Sequence, residues 1–218
     1  MITVITGLTG SGKTWLMTRL ALKRRKKYKE VIYPNLSFNF PNNNEGVIRW
    51  HHLSETFNIR DGVICIDEAQ KLFDAHNWFF LPPAFAEKIA SHRHHMVDII
   101  TTTQDFGHID IRVRDNVHEL YNCISIFRWP KYNEKVKPWL QLIKVIHKRR
   151  SFDDTVGIKW VKSGEKRHFI SRFFTKDLYN TYANIDLSHY ICQIKREKHK
   201  WLIILQSRSL ANTRSGSR

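Results

Sequence analysis

The chain has 218 residues, with 36 Lys and Arg against 20 Asp and Glu, and a formal net charge of +16 at pH 7. This length supports one sizeable core with a small appendage. No apolar run approaches the ~18 residues that a membrane-spanning helix needs, which excludes such a segment. The charge excess favours a nucleic acid or an anionic membrane surface as partner, the alternative being a basic surface that serves solubility alone.

Cysteine usage and the start of the chain indicate the compartment. The three cysteines, Cys65, Cys123 and Cys192, lie far apart without CxxC spacing. Because Cys65 and Cys123 fall inside apolar runs, we expect buried thiols in a reducing cytoplasm. No cationic and then apolar leader precedes the first predicted strand, which agrees with that expectation.

The first fourteen residues combine an apolar strand, a glycine-rich turn and the start of a helix. The turn, Gly7–Thr14, matches the phosphate-binding pattern G-x-x-x-x-G-K-[ST]. Apolar residues precede it, and residues 15–23 contain no Gly or Pro, which predicts a helix. Glycines let the backbone bend around a phosphate, while backbone N–H groups and the helix N-terminus face the anion. We therefore predict that the chain binds a nucleoside triphosphate.

Individual roles follow from this pattern. Lys13 is predicted to reach the β- and γ-phosphates, and the Thr14 hydroxyl to occupy one Mg²⁺ position, so that ATP and Mg²⁺ are the expected cofactors. The predicted nucleotide-binding residues are Gly7, Thr9, Gly10, Ser11, Gly12, Lys13 and Thr14.

A cationic run and two short strands are predicted next. The run from Lys23 to Lys29 suits either a solvated helix end that complements the helix dipole or a patch that contacts nucleic acid or lipid head groups. Val31–Tyr33 is predicted as a strand, residues 40–46 as a turn-rich loop, and Val47–Trp50 as a second short strand.

An acidic pair follows the next apolar run. Residues 63–66 are continuously apolar, as in a strand buried on both faces of a parallel sheet. Asp67 and Glu68 come at its carboxyl end, where α/β sheets place ligands. We predict that Asp67 holds Mg²⁺ and that Glu68 orients and deprotonates the water that attacks the γ-phosphate. The alternative for such a pair is a helix cap.

A helix is predicted over Ala84–His95, after an aromatic loop at residues 78–83. Its end, residues 91–95, is a cluster of His and Arg. His92 and His95 have the i, i+3 spacing that a metal site could use, but a phosphate is the favoured partner of this helix end.

A second buried strand is predicted from residue 98 and ends in Gln104. An amide beside the metal-binding strand can read the γ-phosphate or the attacking water, unless Gln104 is an ordinary strand-terminal residue. The following segment contains Arg112 and Arg114, which are candidates for an arginine that completes a neighbouring subunit's site, or for surface ion pairs.

The remaining residues change in character. Closely spaced apolar runs predict antiparallel strands added to the sheet at residues 120–127, 140–146 and 157–161. A basic loop at residues 130–138 and a short helix at 175–182 are predicted. Residues 186–218 form a basic extension whose last part, from residue 207, has a composition typical of disorder.

Three blocks in this order, Gly7–Thr14, Ile64–Gln70 and His92–Gln104, together resemble the zonula occludens toxin-like (Zot-like) domain. This is the ATPase domain of the filamentous-phage assembly protein. Ile109–Asp110 before the arginine-rich segment and Phe173–Tyr179 add to the resemblance, which covers about residues 1–185. One departure is Met96, at a position where the family pattern usually has Gly.

The resemblance implies an additional-strand P-loop ATPase, akin to the FtsK–HerA group of DNA pumps. Such proteins act at the bacterial inner membrane and drive extrusion or packaging of single-stranded phage DNA. It further implies location in the host bacterial cytoplasm, and as partners viral single-stranded DNA or nucleoprotein, further copies of the chain in a ring, and host inner-membrane or phage assembly proteins. Family members commonly continue into a membrane-spanning helix, for which this sequence has no candidate run, so location at the cytoplasmic face of the inner membrane is left open. Arg93 joins Arg112 and Arg114 as a candidate for the arginine that acts on a neighbour.

We therefore predict an α/β P-loop NTPase with a mainly parallel central sheet flanked by helices and antiparallel strands in the C-terminal half. The predicted domains are an ATPase domain at residues 1–185 and the extension at 186–218. The predicted function is a Mg²⁺-dependent ATPase motor on single-stranded viral DNA. The alternatives are a nucleotide-dependent assembly scaffold with incidental hydrolysis and, less favoured, a small-molecule kinase.

Overall fold

The apolar strands predicted for the first half of the chain lie next to one another in a single seven-stranded sheet. The structure, a computed structural model, describes residues 1–36, 46–73, 82–129, 140–153 and 157–171. The strands are β1 (Ile2–Thr6), β2 (Val31–Pro34), β3 (Gly62–Ile66), β4 (Val97–Thr102), β5 (Glu119–Trp129), β6 (Leu140–Asp153) and β7 (Gly157–Ser171). The α-helices are α1 (Lys13–Tyr28), α2 (Pro83–Ala90) and α3 (Ile111–Arg114), with short 3₁₀ turns at Leu53–Thr56, Ala69–Lys71 and Phe106–His108.

The sheet has the strand order β2-β3-β4-β1-β5-β6-β7. The first five of these strands are parallel, with Ile2 opposite Ile99 on β4 and Thr3 opposite Glu119 on β5. Strand β4 thus lies between the strand of the glycine-rich loop and the strand of the acidic pair. This arrangement is the additional strand that the family resemblance implies, and the predicted fold class is confirmed.

The last two strands form a long antiparallel hairpin on β5. The predicted antiparallel pairing is present among β5, β6 and β7, but β5 also pairs parallel with β1 on its other side, which was not predicted. After β4 the chain passes through α3 and returns to the amino-terminal edge of the sheet, so β5 must run in the same direction as β1. Sequence spacing alone could not show this return, because α3 is only 4 residues long.

Both faces of the sheet are buried at strands β1, β3 and β4. Helix α1 packs on one face through Trp15, Leu16 and Met17, in a cluster that also contains Ile5 and Val63. The alternate strand residues, which point to the other face, are also buried: Ile2, Val4, Ile64, Ile66 and Ile99. Helices α2 and α3 contribute buried Phe85, Ile89 and Val113, none of which belongs to the α1 cluster. This two-sided burial explains why β1 and β3 appear as continuous apolar runs.

Two predicted elements are shorter than expected. The predicted helix Ala84–His95 ends at Ala90, and residues 91–96 form turns before β4. Val47 makes a single parallel bridge to Ile32 and does not begin a strand. Met96 closes the turn with a φ angle of +53°. Met96 thus adopts a left-handed backbone despite its Cβ, a conformation that Gly adopts freely.

Several predictions lie outside the described residues: the loops at residues 40–45, 78–81 and 130–138, the helix at residues 175–182, Cys192, the domain boundary near residue 185 and the extension after it. Cys65 and Cys123 are buried free thiols, as predicted. Within the described part of the chain, every helix is too short or too polar to span a bilayer.

Candidate active site

The glycine-rich loop joins β1 to α1 in a conformation that depends on its glycines. Gly7, Gly10 and Gly12 have positive φ angles of 144°, 73° and 90°. A Cβ on Gly7 would lie 2.3 Å from the carbonyl oxygen of Cys123 on β5, so this position admits no side chain. The loop is therefore pressed against the sheet, and the first N–H groups of α1, which have no partner within the helix, point out of its N-terminus.

Lys13 extends over this loop. Its Nζ donates to the carbonyl oxygens of Gly7 at 2.8 Å and Leu8 at 3.1 Å. Burial lowers the pKa of Lys13, while the negative charges of Asp67 and Glu68 act in the opposite direction. The ammonium group is thus held at the mouth of the loop, in the position from which it can meet an incoming anion.

Thr14 and Asp67 come together from two separate elements. The Thr14 hydroxyl, at the start of α1, lies 3.2 Å from each carboxylate oxygen of Asp67, which follows β3. Thr102, the last residue of β4, donates its Oγ1 proton to Asp67 Oδ1 at 2.5 Å. Burial raises the pKa of Asp67, and the hydrogen bonds from Thr102 and Thr14 partly counteract that rise. The predicted meeting of the glycine-rich loop and the acidic pair is present in the structure.

Asn35 braces the backbone of Asp67. Its Oδ1 accepts from the Asp67 N–H at 2.9 Å, and its Nδ2 donates to the Asp67 carbonyl oxygen at 3.1 Å. Asn35 is buried just after β2, the strand next to β3. Neither Asn35 nor Thr102 was predicted from the sequence. The sequence feature that could have indicated them is a polar residue at the carboxyl end of a strand next to β3. Asn35 directly follows β2, and Thr102 is the last residue of β4.

Glu68 occupies the turn that follows Asp67. Its φ angle is +54°, and its backbone N–H donates to Thr102 Oγ1 at 2.9 Å. Its carboxylate is partly exposed and forms an ion pair with Lys71. The carboxylate is close enough to Lys13 and Asp67 to affect the pKa of each. Glu68 therefore belongs to the same charged group as the other two side chains.

Gln104 lies beside the start of the loop. Its backbone carbonyl accepts from the Gly7 N–H at 3.2 Å, while its side chain is exposed. The strand order places it at the same carboxyl edge of the sheet as Asp67, because β4 lies between β1 and β3.

Strands β5 and β6 support the loop from the other side. Gln141 on β6 donates its Nε2 proton to the Gly10 carbonyl at 2.7 Å and also contacts Ser125 Oγ. Arg128 on β5 donates to Ser125 Oγ at 2.8 Å and lies beside Thr9 and Gly10. Neither Gln141 nor Arg128 was predicted, because only the three-dimensional pairing of β5 with β1 brings them to the loop.

The three candidate arginines lie in different environments. Arg112 forms an ion pair with the buried Asp110 at 2.8 Å, and Arg114 is half-buried in the same short helix. Arg93 is exposed before β4 and contacts His118 Nε2 at 2.6 Å. Because the residues that precede parallel strands share one edge, Arg93 lies at the edge opposite the glycine-rich loop.

The histidines near Arg93 lie in different environments. Among the described residues, no group of three or more His, Cys, Asp or Glu side chains is arranged to hold a metal ion. His92 is only 3% exposed, and its Nδ1 lies 2.7 Å from the Ile89 carbonyl, while its Nε2 has no hydrogen-bond partner. With Arg93, His118 and Arg150, it lines an open cleft of about 550 Å³.

The residues present fit a nucleoside triphosphate with Mg²⁺. Threonine and aspartate oxygens are hard donors of the kind Mg²⁺ prefers, and Mg²⁺ is usually held by one or two protein ligands together with phosphate oxygens. Ser11 Oγ in the loop is buried without a hydrogen-bond partner, which leaves a polar atom for a phosphate oxygen. The site thus combines a cation, backbone N–H groups and a pair of oxygen-bearing side chains, Thr14 and Asp67, at one edge of the sheet.

Comparisons with solved structures return proteins of low identity. The N-terminal domain of zonular occludens toxin from Neisseria meningitidis is 19% identical, with a TM-score of 0.49, over 82% of this chain and 98% of that one. The genome packaging NTPase B204 from Sulfolobus turreted icosahedral virus 2, in complex with AMP, is 18% identical, with a TM-score of 0.44, over 73% and 95%. The KaiC-like protein PH0186 from Pyrococcus horikoshii is 11% identical, with a TM-score of 0.42, over 73% and 88%.

The comparison with protein families gives a direct match. No curated protein sequence matches the chain. Residues 1–126, more than half of the 218, match the family described as zonular occludens toxin (Zot). The matched range contains the glycine-rich loop, the acidic pair and Gln104. The chain belongs to the Zot family.

Proposed function

We propose that this chain is a Mg²⁺-dependent ATPase that drives assembly, packaging or extrusion of single-stranded viral DNA. The observation that carries the proposal is the contact between Thr14 Oγ1 and both carboxylate oxygens of Asp67 at 3.2 Å, directly beside Lys13. These residues come from positions more than fifty apart in the sequence. Their convergence is what phosphoryl transfer requires, since positioning and electrostatic stabilisation supply most of its rate.

Each residue has a defined part in this proposal. The loop N–H groups and Lys13 bind the phosphates, and Thr14 and Asp67 hold Mg²⁺, which neutralises charge on the phosphate oxygens. Glu68 accepts the proton of the attacking water, after exchanging its ion pair with Lys71 for that water. Gln104 senses the γ-phosphate through its exposed side chain.

The proposal includes a homo-oligomeric ring in which Arg93 completes a neighbour's site. Arg112 is already paired with Asp110, whereas Arg93 is exposed at the edge opposite the loop. In a head-to-tail ring, opposite edges of successive subunits meet. His92, His118 and Arg150 line the same open cleft as Arg93.

ATP turnover measured with and without single-stranded DNA tests the proposal. A motor should hydrolyse ATP faster with DNA. Glu68→Gln should retain ATP binding and lose turnover by about two orders of magnitude or more, because the general base is gone. Lys13→Ala should lose ATP binding itself. Equal turnover in Glu68→Gln and the wild type would remove Glu68 from the mechanism.

One observation favours a second function, a nucleotide-dependent assembly scaffold. The Glu68 carboxylate is engaged with Lys71, so ATP could bind without efficient hydrolysis. In that case ATP would change the solution mass of the protein, and DNA would leave the turnover rate unchanged. Lys71→Ala separates the two functions: it should raise turnover if the ion pair restrains Glu68.

A further inference from the structure

The antiparallel half of the sheet has one face unlike the rest of the molecule. Residues directly opposite each other in antiparallel strands share a face, so the register assigns the faces of β5, β6 and β7. Cys123, Val145, Ile143 and Ile170 point toward the α1 cluster. The alternate residues point to the other face, which we call the outer face; it is built from rows that cross all three strands.

The rows of the outer face are aromatic at one end and basic in the middle. Phe127, Leu142 and Phe169 form the first row, and Ile124, Lys144 and Arg167 form the next. Further along the strands, Lys148 pairs with Lys162, and Arg150 pairs with Trp160. Phe169 is 61% exposed, Phe127 48% and Ile124 41%, so large apolar side chains remain accessible between the cations.

Several cations of the outer face lie directly opposite one another and repel. Lys144 lies directly opposite Arg167, and Lys148 directly opposite Lys162, and like charges in directly opposed positions destabilise a sheet. Glu165 contacts Lys144 at 2.7 Å and Lys162 at 2.8 Å. Among the described residues, Arg167 and Lys148 have no ion-pair partner. A polyanion on this face would remove the repulsion that the protein alone retains.

We propose that the outer face of β5, β6 and β7 binds single-stranded nucleic acid, with Lys148 and Arg167 on the phosphates and Phe127 and Phe169 stacked on bases. A basic surface with interleaved aromatic rings is the arrangement by which proteins bind single strands without sequence preference. Stacking requires unpaired bases, so a single strand fits better than a duplex. The inference rests on the proposed function in that DNA is the partner named there, and it assigns the surface that contacts it.

The chain's own C-terminal residues are a poorer occupant. Residues 172–218 contain nine Lys and Arg against three Asp and Glu. Their charge has the same sign as that of the outer face, so they would add to the repulsion between Lys148 and Lys162. Charge complementarity therefore favours an external polyanion.

Neighbouring residues on β7 supply a matched test. Arg167 lies on the outer face, while Lys166 lies beside it on the opposite face, and both are exposed. Fluorescence anisotropy with a labelled oligothymidine, measured on the full chain without nucleotide, should show affinity roughly tenfold lower for Arg167→Glu. Lys166→Glu carries the same charge change and should lose much less. Equal losses in the two variants would overturn the proposal, since net charge alone would then explain binding.

Phe169→Ala tests the stacking part. Its ring is exposed, so the substitution removes little from the core, and thermal denaturation should confirm that both Phe169→Ala and Arg167→Glu are folded. Phe169→Ala should weaken single-strand binding roughly tenfold and leave binding to a duplex of the same length unchanged. An unchanged single-strand affinity would overturn the proposal. Absence of any DNA binding would also overturn it and would indicate a protein partner for this face.

The ATPase motor and the nucleic-acid-binding surface can be contradicted independently of each other. Loss of binding in Arg167→Glu but not in Lys166→Glu, without any ATP turnover in the wild type, would support this surface and contradict the ATPase motor. DNA-stimulated turnover together with equal binding by the two variants would support the motor and overturn this surface.

Discussion

The carboxylate of Asp67 is held by more neighbours than its place in the sequence suggests. Thr102 donates to it, Thr14 contacts both of its oxygens, and Asn35 fixes its backbone on both sides. A buried carboxylate with such fixed geometry is ready for a cation, but it destabilises the protein that carries it. The site therefore shows a conflict between stability and function at a single residue.

The Asp67 charge leads to a prediction about stability. Burial raises the pKa of Asp67 above its unfolded value, so the ionised form opposes folding once the pH exceeds that raised pKa, and the effect disappears below the unfolded value near 3.8. At neutral pH and without nucleotide, Asp67→Asn should therefore be more stable than the wild type by about 1 kcal/mol. Thermal denaturation followed by circular dichroism measures the difference.

Two controls accompany this prediction. Adding ATP and Mg²⁺ should raise the melting temperature of the wild type more than that of Asp67→Asn, which keeps the phosphate-binding loop and Lys13 but lacks the carboxylate for Mg²⁺. Asp115→Asn carries the same charge change at an exposed position and should alter neither value. A lower melting temperature of Asp67→Asn without ligand would show that the carboxylate stabilises the fold instead.

Site residues whose chemistry is local could be predicted from the sequence, whereas those whose role depends on the sheet could not. Gly7–Thr14 is recognisable from the spacing of its residues, and the acidic pair from its place directly after an apolar run. Thr102 and Gln141 are ordinary strand residues in sequence. They become site residues only because β4 and β6 bring them against Asp67 and Gly10.

At the level of elements, the predicted types were more reliable than the ends and directions. β1, α1, β2, β3 and β4 are all present near their predicted positions. The helix after residue 83 was predicted too long, because residues 91–95 are polar enough to continue a helix face and contain no Gly or Pro to end it. The direction of β5 depends on the edge of the sheet at which the strand begins, and composition does not determine that edge.

The turn between α2 and β4 permits a prediction. Met96 has a φ angle of +53°, a left-handed conformation that costs free energy for a residue with a Cβ. Its side chain is 70% exposed, so burial of the side chain does not offset that cost. Met96→Gly should stabilise the protein by roughly 1 kcal/mol, since Gly adopts this conformation freely. Met96→Ala keeps the Cβ and should change the free energy of unfolding little, as chemical denaturation can show. Destabilisation by Met96→Gly would mean that the methionine side chain makes a needed contact.

For the whole molecule, the dominant property is positive charge. The formal net charge is +16, and the outer face of β5, β6 and β7 carries several of the cations within the described residues. The charge excess was evident from composition. Which of the cations share a face of the sheet was not, because a period-2 pattern interrupted by the bulge at His147/Lys148 cannot be assigned to faces without the register.

Salt dependence measures how much of this charge contacts DNA. The logarithm of the association constant should fall linearly with the logarithm of salt concentration, between about 50 and 300 mM, with a slope that counts phosphate contacts. Arg167→Glu should make that slope shallower by about one, and Lys166→Glu should leave it nearly unchanged. Affinity that does not vary with salt would contradict a phosphate-contacting surface.

The position of β1 in the sheet has a consequence for synthesis on the ribosome. Ile2 pairs with Ile99 and Thr3 with Glu119, so both neighbours of β1 are translated about a hundred residues after it. Its apolar side chains leave the exit tunnel long before any partner strand exists, a situation that invites aggregation of the nascent chain and engagement by chaperones. The glycine-rich loop is thus made first, yet its surroundings are complete only once β4 and β5 have emerged.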